Sequence, residues 1–230
     1  MPGLSSLFVV LFFDPTRRRR GCGYPSRWYV ESVRIDIPIF DGVDELDAVG
    51  SLEVFRSAGA MGAPIDARLV VRTDEVEVRG AYGLRLRSDD FFVSGEADII
   101  VVPGGGWASR SEEGVWAQVQ RGEWLALLRD ARATTSLMCG VCTGTLLLAH
   151  AGLVTKRRAN THHLAQDDLC ALDVIIVDEK VVDDGDVVTS GGVTSGIDLA
   201  LWIVEREVSK EVADRVARRM EYDRFRPLVS

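Results

Sequence analysis

Gly140-Val141-Cys142-Thr143-Gly144 places one thiol between two glycines, in the form G-x-C-x-G, where an apolar strand pattern runs into a helical one. This is the spacing of a nucleophile elbow. The nucleophile there has a strained backbone, and neighbouring backbone passes too close for side chains at the flanking positions. A thiol at the first turn of the following helix meets free N–H groups and the positive end of the helix dipole, so the sequence predicts a lowered Cys142 pKa. The N–H groups of Thr143 and of Gly104, Gly105 and Gly106, at the end of a neighbouring strand, are expected to form an oxyanion-type pocket. A free cysteine is more often buried and inert. The paired glycines and the strand-turn-helix context weigh here for a nucleophile.

Cys139-Gly140-Val141-Cys142 is also a C-x-x-C, which leaves a redox pair as the alternative, although Cys139 ends a strand where a redox motif opens its helix with both thiols. Zinc lacks a second C-x-x-C or an H-x-x-x-H, so no metal is expected. For an acid or base the candidates are Asp47, Glu53, His162, His163 and His150. Asp47 stands at the start of the first helix, at the same sheet edge as Cys142, where it serves either as a catalytic acid or as a dipole partner of the helix. His162 follows a short β-like stretch and approaches the elbow, or is a hydrogen-bonded structural histidine.

These residues need a scaffold, and from residue 33 onward short apolar runs alternate with helical patterns. That alternation predicts an α/β fold, doubly wound, with a mostly parallel sheet and helices on both faces. Strands are expected at 33–40, 65–72, 97–103, 134–138 and 174–177. A β excursion covers 76–79 and 84–87, and a strand pair over 180–188 turns at Asp183-Asp184-Gly185. Helices are expected from Leu46 to near Gly59, then over 115–131, 143–151 with Gly152 as its stop, 164–171, 196–207 capped by Thr194 or Ser195, and 210–222.

The chain has 230 residues, a net charge of −8 and 47% hydrophobic residues, an ordinary globular composition with no basic face for nucleic acid. Four cysteines in a chain too large to need disulfide staples point to a reducing compartment, the cytoplasm. Residues 1–32 read as an extension outside the fold and 33–227 as a single domain. The apolar run from Leu4 to Phe13 is too short to span a bilayer, and Arg17 to Arg20 follow it where a secretory signal would place them before it. An edge strand over 7–12 is the alternative.

Phe40-Asp41-Gly42-Val43 with Glu45-Leu46-Asp47, then Val102-Pro103-Gly104-Gly105, Val141-Cys142-Thr143-Gly144, Thr161-His162 and Gly191-Gly192-Val193-Thr194-Ser195-Gly196-Ile197-Asp198 together resemble the ThiJ/PfpI superfamily. The pattern is most similar to the isonitrile hydratase branch and to the amidotransferase-like domain fused to AraC-type regulators. The resemblance spans residues 33–227. It implies a flavodoxin-like sheet, a homodimer, no organic cofactor, Cys142 as nucleophile, Asp47 as its acidic partner, and Thr143 and Gly105 as pocket walls. The sequence departs from the usual pattern at Val49 and Ser51, where threonine and proline are frequent, and at His163 in place of an aromatic residue. Thr143 stands where the protease-like branch has histidine.

The implied activity is conversion of an isocyanide to an N-substituted formamide through a thioimidate on Cys142, with a small-molecule electrophile as partner and neither nucleic acid nor membrane. Two alternatives stay open. One is a glyoxalase or deglycase acting on 2-oxoaldehydes, and the other is a non-enzymatic redox or ligand-sensing domain.

Overall fold

The computed structural model describes residues 32–227 apart from positions 73 and 75. The expectations for the N-terminal extension, including the alternative edge strand, lie outside the described residues. The first strand, β1 (Val33–Pro38), carries Ile35 and Ile37 fully buried, as a strand covered on both faces requires. Helix α1 (Glu45–Ala60) starts where Asp44 accepts a hydrogen bond from the Leu46 N–H, and β2 (Ile65–Val71) follows. Next come the antiparallel pair β3 (Glu77–Arg79) and β4 (Arg85–Arg87) and the two-residue β5 (Asp90–Phe91). Then β6 (Ile99–Val102) precedes α2 (Val115–Arg121) and α3 (Glu123–Ala131).

β7 (Leu137–Gly140) leads into α4 (Gly144–His150). The short β8 (Arg158–Ala159) and β9 (Ile175–Ile176) enclose a 3-10 turn at His163–Ala165 and α5 (Gln166–Cys170). The hairpin of β10 (Val181–Asp183) and β11 (Val187–Ser190) is followed by α6 (Ser195–Glu207) and α7 (Lys210–Arg219).

The main sheet has the order β10-β11-β7-β6-β1-β2-β5, parallel except for β10 against β11. Helices α1, α6 and α7 pack with one another, as do α2, α3 and α4. This is the doubly wound α/β architecture expected. The chain passes from β1 to β2 on one side and then returns to β6 on the other. The crevice between β1 and β6 at their carboxyl ends is therefore the switch point where such sheets bind ligands.

Three local expectations change. The helix expected over 115–131 is broken at Gly122, whose φ of 77° ends α2 in a left-handed cap and starts α3. The strand expected over 134–138 is β7, because the buried run is Leu137–Gly140 and Thr134 belongs to the preceding turn. Thr194 holds the cap position of α6, but its side chain makes no capping bond. Among the described residues no helix is long and apolar enough to cross a membrane.

Candidate active site

β7 delivers Cys142 to the switch crevice, and its φ of 53° is the left-handed backbone that an elbow imposes on its nucleophile. The Cys142 N–H donates to the Gly191 carbonyl at 3.1 Å, and its own carbonyl accepts the Thr161 hydroxyl at 2.8 Å. The strained residue is thus held from both sides. A Cβ at position 144 would collide with the Val102 carbonyl, which is the physical reason for the second glycine of the motif.

Asp47, in the first turn of α1, is fully buried, and its Oδ2 accepts the Gly104 N–H at 2.8 Å. Its carboxyl faces the Cys142 sulfur, near enough for each group to shift the other's titration. Asp47 Oδ1 is buried without a hydrogen-bond partner. Gly104 is clamped at both ends by α1, since its carbonyl also accepts the Asp44 N–H at 2.8 Å. A side chain at 104 would sit 2.6 Å from the Thr143 nitrogen and 2.9 Å from Asp47 Oδ2.

The N–H groups of Val193 and Thr143 point at the Cys142 sulfur and favour its charged form. Burial opposes them and wins: Cys142 is 5% exposed, and desolvation followed by the Asp47 charge pushes the thiol above its ordinary value. The expectation of a lowered Cys142 pKa is therefore corrected, because it counted the amides and not the loss of water. Burial and the nearby Asp44 carboxylate push Asp47 up to about 8. Near neutral pH the pair keeps both of its protons.

The expected oxyanion pocket also changes. The Gly104 N–H is committed to Asp47, and the Gly105 N–H donates to Thr143 Oγ1 at 2.9 Å. Both groups hold other parts of the site. Gly106 lies on the outer side of the loop, where its carbonyl accepts the Ser111 N–H. His162 leans on Gly192, whose absent Cβ would be 2.5 Å from His162 Cδ2, and its Nδ1 accepts the Leu164 N–H at 3.2 Å. Burial and His163, 4.3 Å away ring to ring, lower the His162 pKa. Asp44 and Gly105 line a cavity of about 470 Å³ together with Arg79, Tyr82 and Ser111.

Of the remaining candidates, Glu53 is on the outer face of α1 against Arg219, and His150 lies tilted against Trp107 at the far end of α4. Cys139 is fully buried, and the charges that reach it belong to Arg206, Asp183 and Glu207 near the end of α6. Among the described residues no group of three His, Cys, Asp or Glu is arranged to hold a metal.

Sequence reasoning missed two supports. Val193 has a φ of 28°, costly for a β-branched residue, and this turn aims its N–H at the sulfur. Ser51 donates to the Asp47 carbonyl at 3.0 Å and reaches the Gly196 carbonyl at 3.3 Å, which joins α1 to α6. A hydroxyl one helical turn after the acid was the available signal for Ser51.

A doubly wound α/β sheet with a cysteine elbow and an acid from the first helix defines a class of proteins. The pattern that describes the DJ-1/PfpI family matches residues 33–206, and the chain belongs to that family. It is 33% identical to isonitrile hydratase of Pseudomonas putida over 192 residues, which cover 83% of this chain and 79% of that protein. It is 30% identical to the Parkinson disease protein 7 homolog of Danio rerio over 182 residues, 76% of this chain and 89% of the relative. A crystal structure of a ThiJ/PfpI family protein from Pseudomonas syringae superposes with a TM-score of 0.75 at 25% identity, covering 86% of this chain and 78% of that one.

Proposed function

We propose that this chain is a cysteine-dependent hydratase of small electrophiles, with an isocyanide carbon as the point of attack. The observation that carries the reading is the buried Asp47–Cys142 pair, in which loss of water raises both groups and so favours their protonated forms. Addition to R–N≡C needs a nucleophile and a proton delivered to the same carbon, and such a pair holds both.

In the first step the Cys142 sulfur bonds to the terminal carbon. The thiol proton passes to the Asp47 carboxyl as that carboxyl gives its own proton to the carbon, leaving R–N=CH–S–Cys142 with no net proton change. The Val193 and Thr143 N–H groups stabilise the charge that develops on sulfur. Water then adds to the thioimidate carbon and the C–S bond breaks. The thiol recovers its proton through Asp47, and R–NH–CHO leaves. The R group extends toward the space beside Asp44 and Gly105. Similarity to an isonitrile hydratase supports this reading. It takes the assembly to be a homodimer acting in the cytoplasm on a small molecule, apart from nucleic acid and membranes.

The low exposure of Cys142 favours a second reading, a ligand-sensing domain without turnover, over the redox form of that reading, which needs an accessible thiolate. One experiment separates these and the 2-oxoaldehyde alternative. Wild type and Cys142→Ala are incubated with an alkyl isocyanide and with methylglyoxal, with formamide and lactate quantified and Cys142 adducts read by mass spectrometry. The hydratase reading expects formamide from wild type alone. Lactate without formamide turns it to the glyoxalase, and neither product sinks both enzymes.

A further inference from the structure

A cavity of about 550 Å³ opens at the carboxyl ends of β1 and β2, and Cys142 and Asp47 are not among its lining residues. Its floor is apolar, with Phe40, Val71 and Trp124 all buried. Gln118, on α2, also lines it; the residue as a whole is 5% exposed, and its side-chain amide, without a hydrogen-bond partner among the described residues, opens on the cavity. Its open donor and acceptor therefore point to a ligand.

Arg121, one turn further along α2, lines the same cavity. Its guanidinium reaches only the Glu112 carbonyl, at 3.3 Å, and has no carboxylate partner among the described residues. Arg72 stands opposite with its charge already answered by Glu123 at 2.7 Å. Two acids share the rim: Asp41, whose Oδ1 accepts the Arg79 N–H at 2.8 Å, and the exposed Asp74. Beside the exposed Asp74, the groups left unanswered are thus the Arg121 guanidinium and the Gln118 carboxamide, above an apolar floor. Cavities of this size hold small organic molecules, and a planar carboxylate on an apolar compound can meet a guanidinium through two parallel hydrogen bonds.

We propose that this cavity is a second binding site, which takes a small organic acid with an apolar body. The carboxylate meets Arg121 and the Gln118 amide, and the hydrocarbon part lies on Phe40, Val71 and Trp124.

The test titrates the full chain with 3-phenylpropanoate, its uncharged amide and phenethylamine, following tryptophan fluorescence and calorimetric heat. The proposal expects saturable binding of the carboxylate, weakened about tenfold in Arg121→Gln and in Gln118→Leu, and weaker binding of the amide and amine. It expects the same carboxylate affinity in Cys142→Ala, which separates this site from the elbow. Comparison of the three probes on wild type keeps the test decisive should either variant fail to fold. The proposal is overturned by absence of saturable carboxylate binding, by tighter binding of the amine, or by loss of binding in Cys142→Ala.

Discussion

Gly104 and Asp47 are joined by a 2.8 Å hydrogen bond from backbone N–H to buried carboxyl oxygen, and this bond ties the acid of α1 to the strand beside the Cys142 elbow. A Cβ at 104 would sit 2.6 Å from the Thr143 nitrogen and 2.9 Å from Asp47 Oδ2. We expect Gly104→Ala to push Asp47 away from Cys142 and to lower turnover about 100-fold, the scale of a lost general acid. Steady-state kinetics checks this, with thermal unfolding as the control for folding.

Asp47→Asn keeps a side chain of the same shape but cannot relay a proton. Turnover is expected to fall about 100-fold or more. The Cys142 pKa should move down at the same time, because Asp47's charge is the second cause that raises it. The pH dependence of alkylation by iodoacetamide reads that shift, and an upward shift in the variant would contradict the electrostatic account.

Asp47 titrates near 8 in the folded protein and at an ordinary 3.8 when unfolded. Between those values the folded chain binds the extra proton, so stability falls as pH rises from about 4 toward 8 and the contribution is then lost. Activity that needs the Asp47 proton declines through the same upper limit. Urea melts of wild type and Asp47→Asn across pH 4–9 should show this slope in the first and its absence in the second.

Val193→Gly relieves a backbone of φ 28° that a β-branched residue adopts only under strain, and it keeps the N–H that faces Cys142. A melting temperature equal to or above wild type is expected, with a gain of up to about 1 kcal/mol and turnover retained. Calorimetry and kinetics on the same preparation decide it. A large loss of stability would mean that the side chain matters more than the strain.

Cys139→Ala should leave turnover within about twofold of wild type and cost roughly 1 kcal/mol of stability as a small buried truncation. Oxidation of wild type should give no Cys139–Cys142 disulfide in peptide mapping, because the charges around Cys139 belong to the far end of α6. Recovery of that disulfide would return the redox-pair alternative.

Much of this arrangement was legible in the residues. The fully buried strands read as continuous apolar runs, and the elbow showed as two glycines around one thiol. The position of Asp47 followed from its place beyond β1. What stayed hidden depended on distance across the fold. Gly122 sits in a run whose apolar spacing continues on both sides, so only its left-handed φ shows the break. The two residues of β5 are too few to leave a pattern. The direction of the Cys142 shift depends on how completely water is excluded, and the commitments of Gly104 and Gly105 depend on contacts 57 and 38 positions away.

The hydroxyl of Thr161 grips the Cys142 carbonyl, and Asn160 beside it is moored by Thr189 and Gln166. The small β8–β9 sheet and the turn it encloses therefore act as a strut under Cys142. Insertions or deletions between 160 and 177 would tilt the sulfur even though few of those residues come near it. The same changes in the β3–β4 hairpin would leave its attitude intact.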